Sequence, residues 1–230
     1  MPNNNAHISL QDRLNKLRDS FDKISNVEKA EGMSAYMKNK FDFCGIPKPT
    51  RELIVKPWLR EVKEMKPVDQ AKVANWLWKQ KEREFQYVAM QVLFRHKKEF
   101  TKDSLEILEK LIVTKSWWDT VDFIAATLVG YYFEIFPENK KSKVREWSRS
   151  KNIWLNRTAI LFQLKYASKT DLDLLYSSIL PHLESKEFFL QKAIGWALRQ
   201  YAYTDPRTVR KFVDSHELSP LSKREALKHF

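Results

Sequence analysis

The stretch "WLNRTAILFQLKYA" (154–167) returns 35 residues later as "FLQKAIGWALRQYA" (189–202). Leu155 meets Leu190, Asn156 meets Gln191, Arg157 meets Lys192, and Tyr166-Ala167 meets Tyr201-Ala202. Both copies carry broad apolar faces flanked by charge at helical spacing. One period back from Arg157 lies Asp122, inside "TKSWWDTVDFIAATLVG" (114–130), and two periods back from 155–160 lies "FQYVAM" (85–90). A helical unit recurring every ~35–45 residues marks an α-solenoid of HEAT or TPR type, in which each helix pair buries its apolar face against the next. The expected fold is all-α: an α-superhelix (solenoid) of HEAT-like helical repeats, forming a single domain over residues 1–230.

Composition agrees. The 230 residues are 43% hydrophobic and 30% charged, a globular balance. With four glycines, the chain is poor in the tight hairpins that sandwiches and barrels need. Lysine and arginine number 41 against 29 acids, a net charge of +12. That excess favours a polyanionic partner: DNA, RNA or an anionic membrane surface. The five histidines are scattered and Cys44 is alone, so neither zinc-ligand spacing nor a disulfide framework is present. A reducing, cytoplasmic location is expected by default. The apolar run Phe123–Phe133 has 11 residues, where a membrane span needs about 20, and the first residues have no apolar signal-peptide core.

Helix punctuation recurs. Asp205-Pro206 and Ser219-Pro220 each read as an N-cap followed by proline at the first helical position, and Ser222 with Glu225 as a capping box. "CGIPKP" (44–49) is expected to end one helix at Gly45 and delay the next through Pro47, and Pro57 to kink or split a helix. Roughly ten to thirteen short helices follow, without a sheet. "EKAEGMSAYMKNKFDF" (28–43) reads as an amphipathic helix, whose ordinary fate is core packing and whose sharper one is to present Tyr36 and lysines to a ligand.

The register gathers residues as well as helices. Asp122, Arg157 and Lys192 occupy equivalent repeat positions, and such positions line one continuous surface. Trp118 lies one turn before Asp122, Trp196 one turn after Lys192, and Arg199 three residues beyond Trp196. Trp58, Trp76, Trp78 and Trp147 read as core or partly buried, and Trp117 as core. A lone aspartate is ordinarily solvated or paired, and Arg157 is the obvious partner for Asp122. A cationic groove with interleaved aromatics suits a nucleic-acid backbone. A carboxylate there repels phosphate, and makes sense where a cation must form, such as an oxocarbenium-like sugar or an alkylated base. "NKKSKVREWSRSK" (139–151) holds six basic residues against Glu146; it reads as a solvated helix face or a phosphate-contacting rim. Lys165, Lys169, Lys186, Arg207, Arg210 and Lys211 extend the basic character.

From about Lys29 onward the chain resembles the DNA alkylation repair (AlkD-type) family of HEAT-like-repeat DNA glycosylases. The matching blocks, in order, are "KAEGMSAYMKN", "EREFQ", "LIVTKSWWDTVD", "NIWL.R.AILFQLKY", "SKEFF.QKAIGW.LR.YA" and "LSPLSKREA.KH". The resemblance implies a concave, basic DNA-binding groove and hydrolysis of the N-glycosidic bond of cationic N3- or N7-alkylated purines in duplex DNA. It implies a catalytic cluster of Asp122, Trp118 and Trp196, with Arg157 and Arg199 as DNA contacts and Tyr36 approaching the lesion. Lys192 and Lys165 join the DNA-binding set through the repeat register and the basic C-terminal half. The family is thought to leave the base unflipped, unlike most glycosylases.

An alkylated purine is already cationic and a good leaving group, so no dedicated general acid is needed. Asp122 would stabilise the sugar cation and place a water, and the two tryptophans would hold the deoxyribose. No metal or organic cofactor is required. The expected partner is duplex DNA containing alkylated purines, with no membrane, no obligate protein partner and a monomeric, nucleoid-associated protein. The alternative is a non-catalytic HEAT scaffold binding bent or branched DNA, indifferent to Asp122. A protein-binding solenoid fits the charge poorly, and a helix–hairpin–helix glycosylase lacks its glycine-rich hairpin.

Overall fold

Apolar residues at helical spacing, punctuated by capping side chains, fold the protein into helices. The computed structural model describes residues 9–63 and 67–228. Among these there is no strand, only an isolated bridge between Asp42 and Glu82. The chain divides into two compact units, Met1–Glu99 and Phe100–Phe230.

The first unit holds α1 (Leu10–Asp22), α2 (Val27–Tyr36), α3 (Lys48–Lys63), α4 (Pro67–Lys79) and α5 (Arg83–His96). A capping box starts α1: Ser9 Oγ accepts from the Asp12 amide, and the Asp12 carboxylate accepts from the Ser9 amide. Leu14, Leu17, Phe21, Val55, Trp58, Leu77 and Phe85 form the interior. Glu84, fully buried, accepts from the amides of Cys44, Gly45 and Ile46, each at 3.0 Å, and so anchors the segment between α2 and α3. That buried carboxylate also presses the Cys44 thiol, whose burial is the main cause of a pKa pushed up to about 12.

Two local expectations are corrected in this unit, and a third is narrowed. The helix expected over 28–43 ends at Tyr36, because Lys38 and Asn39 turn to positive φ. Gly45 therefore does not end a helix. Its φ of 77° and close approach serve another purpose: a Cβ there would lie 2.0 Å from the Asn26 carbonyl oxygen at the start of α2. Pro57 does not split α3, since Val55, Trp58 and Leu59 are buried on both sides of it and hold the helix together. The delay through Pro47 is as expected, with α3 starting at Lys48.

The second unit stacks helices in two rows. One row contains α6 (Ser104–Val113), α9 (Lys140–Ser148), α11 (Leu172–Ile179) and α13 (Pro206–Ser215). The other contains α7 (Trp118–Phe123), α10 (Ile153–Leu161), α12 (Phe188–Ala202) and α14 (Pro220–Ala226). Helix α10 packs on α9, α7 and α12, and α12 on α13 and α14. The starts of α7, α10 and α12 at Trp118, Ile153 and Phe188 reproduce the 35-residue period that separates Asp122 from Arg157. This is the layered stacking of HEAT-like repeats. Asp205 and Ser219 cap α13 and α14 through the amides of Thr208 and Ser222. The Ser222–Glu225 capping box does not form, because Ser222 is already inside α14 and donates to the Gln191 carbonyl.

One feature had no warning in the sequence. After Phe123 the helix widens to a π-helical turn, Ile124–Val129, before resuming as α8 (Gly130–Ile135). Every residue of that turn is buried. With α7 and α8 counted as one interrupted rod, the helices fall within the expected number.

Candidate functional site

The second unit contains an open cleft of about 410 Å3. Asp122, Phe123, Ala126 and Thr127 line one side of it, Leu164, Lys165 and Ala167 another, and Trp196 and Gln200 of α12 a third. Asp122 and Ala126 are one turn apart on an ordinary helix. The wider π turn brings Thr127 to the same wall, and π turns recur at functional sites for this kind of re-aiming. Ala167, at the rim, holds a positive φ of 49°, uncommon for a residue with a Cβ. Tyr166, just before it, is buried and donates to the Gly130 carbonyl at 2.6 Å, tying that rim to the start of α8.

Asp122 is the acidic residue of this lining and is paired bidentately. Arg157 Nε donates to its Oδ1 at 2.7 Å and Nη2 to its Oδ2 at 2.8 Å. Side-chain exposure is 5% for Arg157 and 16% for Asp122, so this is a buried pair. Nη1 of Arg157 donates to the Phe189 carbonyl, so one guanidinium joins α7, α10 and α12. Burial pushes the Asp122 carboxyl above its usual range; the Arg157 hydrogen bonds and charge pull the other way, and Asp119 adds to the rise. The result is an oriented carboxylate with one lone pair left on each oxygen and a basicity above that of a solvated aspartate.

Phe189, whose ring centroid lies 5.9 Å from Arg157 Cζ, belongs to an aromatic cluster. Trp117 lies 5.7 Å from Trp154 and 4.9 Å from Phe189, and Trp154 lies 5.0 Å from Phe189, centroid to centroid. Trp117 is thus a packing residue, half-buried rather than fully core. Trp58, Trp78 and Trp147 are core and Trp76 is half-buried. Trp118, the first residue of α7, is half-buried and is not part of the cleft lining, whereas Trp196 is.

The expected cations divide into two kinds. Lys165 is exposed at the cleft and its Nζ donates to Thr127 Oγ1 at 2.7 Å. Lys192 and Arg199 sit on α12 and are both engaged by Glu225, at 2.9 and 2.7 Å. Tyr36, the last residue of α2, belongs to the first unit and is 68% exposed. The basic segment 139–151 forms α9, which buries Val144 and Trp147; Lys143 pairs with Glu109 and Glu146, and Lys141 with Asp171. Thr127, Gln200, the Phe189 carbonyl and Glu225 all bear on the site without a signal in the sequence. Thr127 hides in an apolar run, a backbone acceptor carries no side-chain letter, and Glu225 acts across a helix–helix contact.

No helix among the described residues is long and apolar enough to cross a membrane. Comparison with known proteins adds the family. The model of the family described as DNA alkylation repair enzyme matches residues 17–230. A solved structure, a predicted DNA alkylation repair enzyme from Enterococcus faecalis, is 33% identical, covers 90% of this chain and 96% of its own, and superposes with a TM-score of 0.84. No curated protein matches. The repeat register, the all-α stacking and these two matches lead to one statement: the chain belongs to the DNA alkylation repair enzyme family.

Proposed function

We propose that the protein is a monofunctional DNA glycosylase of base excision repair, releasing cationic N3- or N7-alkylated purines from duplex DNA. The observation that carries this reading is the buried Asp122 carboxylate, oriented by Arg157, in the lining of an open cleft that Trp196 also lines, in a protein of net charge +12. Cations around the cleft supply phosphate contacts, and the carboxylate is the local point at which positive charge is favoured.

In this reading water adds to C1′ of the deoxyribose as the C1′–N bond breaks. The bonding pair moves onto the purine and neutralises its charge, so the base leaves without being protonated. Asp122 stabilises the oxocarbenium-like sugar and accepts a hydrogen bond from the attacking water, whose proton passes to it or to solvent. The raised basicity of Asp122 helps that second task. Arg157, which the resemblance puts among the DNA contacts, has its three nitrogens engaged by Asp122 and the Phe189 carbonyl, and is assigned instead to holding the carboxylate in place, partly offsetting its field. Trp196 supports the sugar from the α12 wall of the cleft, Trp118 is assigned to the same cluster, and Lys165, Lys192, Arg199 and Tyr36 engage the DNA. Residues 1–230 act as one functional domain, monomeric and cytoplasmic on the nucleoid, with no cofactor.

The test is excision from duplex DNA carrying N7-methylguanine. Wild-type protein leaves abasic sites. Asp122→Asn is expected to lose at least about a hundredfold in single-turnover rate, of the order seen when one electrostatic group is removed from a catalytic site, while duplex binding is kept or tightened. Wild-type-like excision by that variant would remove Asp122 from the chemistry.

A second reading is favoured by one specific observation: both oxygens of Asp122 are hydrogen-bonded to Arg157, as in a purely structural ion pair. The protein would then be a HEAT scaffold binding bent or branched DNA. Salt-sensitive duplex binding, without excision of any alkylated purine offered, selects it.

A further inference from the structure

Helix α14 approaches α12 unusually closely at Gly195. A Cβ there would stand 2.4 Å from Glu225 Cβ and 2.8 Å from the Ser222 carbonyl oxygen, so only glycine admits α14 at this distance. Ser222 Oγ fixes the approach by donating to the Gln191 carbonyl at 2.9 Å. The approach delivers Glu225 between two cations of α12. Its Oε1 takes Lys192 Nζ at 2.9 Å and its Oε2 takes Arg199 Nη1 at 2.7 Å, while its backbone carbonyl accepts from the same Nη1 at 3.4 Å. Lys192 and Arg199 are seven residues apart, two turns along one face, and Trp196 stands between them. Glu225 is 12% exposed, against 37% for Lys192 and 20% for Arg199, so the acid lies beneath and the cations above. The hydrogen bond from Lys192, and after it that from Arg199, holds the Glu225 carboxyl below its usual range. The acid therefore stays charged across the neutral range.

We propose that Glu225 is a positioning residue for DNA engagement: from beneath, it ties Lys192 and Arg199 into one fork straddling Trp196, and it leaves the trio with a single net positive charge. Arg199 uses one terminal nitrogen on Glu225 and keeps its remaining donors for an incoming phosphate. The fork places phosphates at a fixed spacing around the cleft. The buried acid also restrains charge-driven attachment to DNA without a lesion. The inference rests on the reading that this face of α12 meets DNA, and deepens it.

The test compares wild type, Glu225→Gln and Glu225→Asp by fluorescence anisotropy with undamaged duplex between about 50 and about 200 mM salt. Glutamine keeps the shape and can still hydrogen-bond, and thermal melts of each variant establish that it is folded. Glu225→Gln is expected to bind undamaged duplex several-fold more tightly at low salt. Its log K against log [salt] slope should steepen by about one, the weight of one additional phosphate contact. Its preference for alkylated over undamaged duplex should fall by the same several-fold, and Glu225→Asp should restore both properties in large part. A folded Glu225→Gln with unchanged slope and unchanged preference overturns the inference, with the glycosylase reading untouched. Wild type that binds duplex with salt dependence but excises nothing overturns the glycosylase reading, and the slope still decides the role of Glu225. Wild type that does not bind duplex overturns both.

Discussion

Replacing Arg157 by methionine keeps the apolar stem of the side chain and removes its charge, which leaves Asp122 buried beside the cleft without its cation. Two losses follow, and they differ in pH dependence. The donation to the Phe189 carbonyl is a charge-assisted hydrogen bond and contributes about 1.5–3 kcal/mol at any pH. Orphaning the buried carboxylate is the second. With side-chain exposures of 5% and 16%, solvent does little to screen the pair, and removing one partner of such a buried pair costs about 3–5 kcal/mol in all. Against a typical total stability of about 5–15 kcal/mol, that is a large fraction of the whole. The carboxyl of Asp122, already above its ordinary value of 3.8 through burial, loses both hydrogen bonds that held it down and rises further. A carboxyl whose folded pKa exceeds its unfolded one favours the fold when protonated. Wild type shares part of that dependence, so the deficit relative to it is absent where both folded forms are protonated, grows between the wild-type and the higher variant value, and is constant above the latter. Urea denaturation at about pH 4, near the ordinary carboxyl value, and at about pH 8 reads this directly, and Asp122→Asn added to Arg157→Met should cancel the pH-dependent part, leaving that of the Phe189 carbonyl. A deficit below about 1 kcal/mol, equal at both pH values, would refute the account of this pair as buried and mutually dependent.

Other outcomes follow from the same geometry. Because Asp122 titrates above the ordinary carboxylate range, single-turnover excision should fall on the acid side with a midpoint above that range, and the acid limb should disappear in Asp122→Asn. Trp196→Ala opens one wall of the cleft and should lower excision at least tenfold, with melting temperature shifted by only a few degrees since the ring is half-buried. Gly45→Ala places a methyl 2.0 Å from the Asn26 carbonyl at positive φ and should destabilise the first unit by several kcal/mol in chemical denaturation, beyond the ~1–3 kcal/mol of ordinary overpacking.

How much could be read beforehand depended on whether a contact obeys a period. Helices announce themselves because burial demands apolar residues every third or fourth position, and caps such as Asp205-Pro206 and Ser219-Pro220 are local in sequence. The proximity of Asp122 and Arg157 was legible for a related reason. A stacked repeat turns a sequence separation of one period into a neighbour in space, and the two residues meet as an ion pair. By the same rule Lys192 was expected on one wall with them, yet its partner is Glu225, because α14 comes close only where Gly195 lets it. The role of Gly45 was misread because a glycine after an amphipathic run looks like a helix end, whereas the left-handed turn had already been taken at Lys38 and Asn39. The π turn was illegible, since Ile124–Val129 is apolar but for Thr127, and such a run carries little phase.

That turn changes how the rod from Trp118 to Ile135 is divided. Each residue of a regular helix advances about 100°, so one additional residue accommodated in a wider turn rotates everything after it by about that angle relative to everything before it. The first segment can thus aim Asp122 at the cleft, while the second aims Tyr132 and Phe133 at Phe136, Trp147 and Phe162. A straight α-helix of the same sequence would have to sacrifice one orientation to the other. Deleting a single residue from 124–129 would take out that rotation and set the two halves in conflict, which makes this short segment the least length-tolerant part of the helix that carries the aspartate.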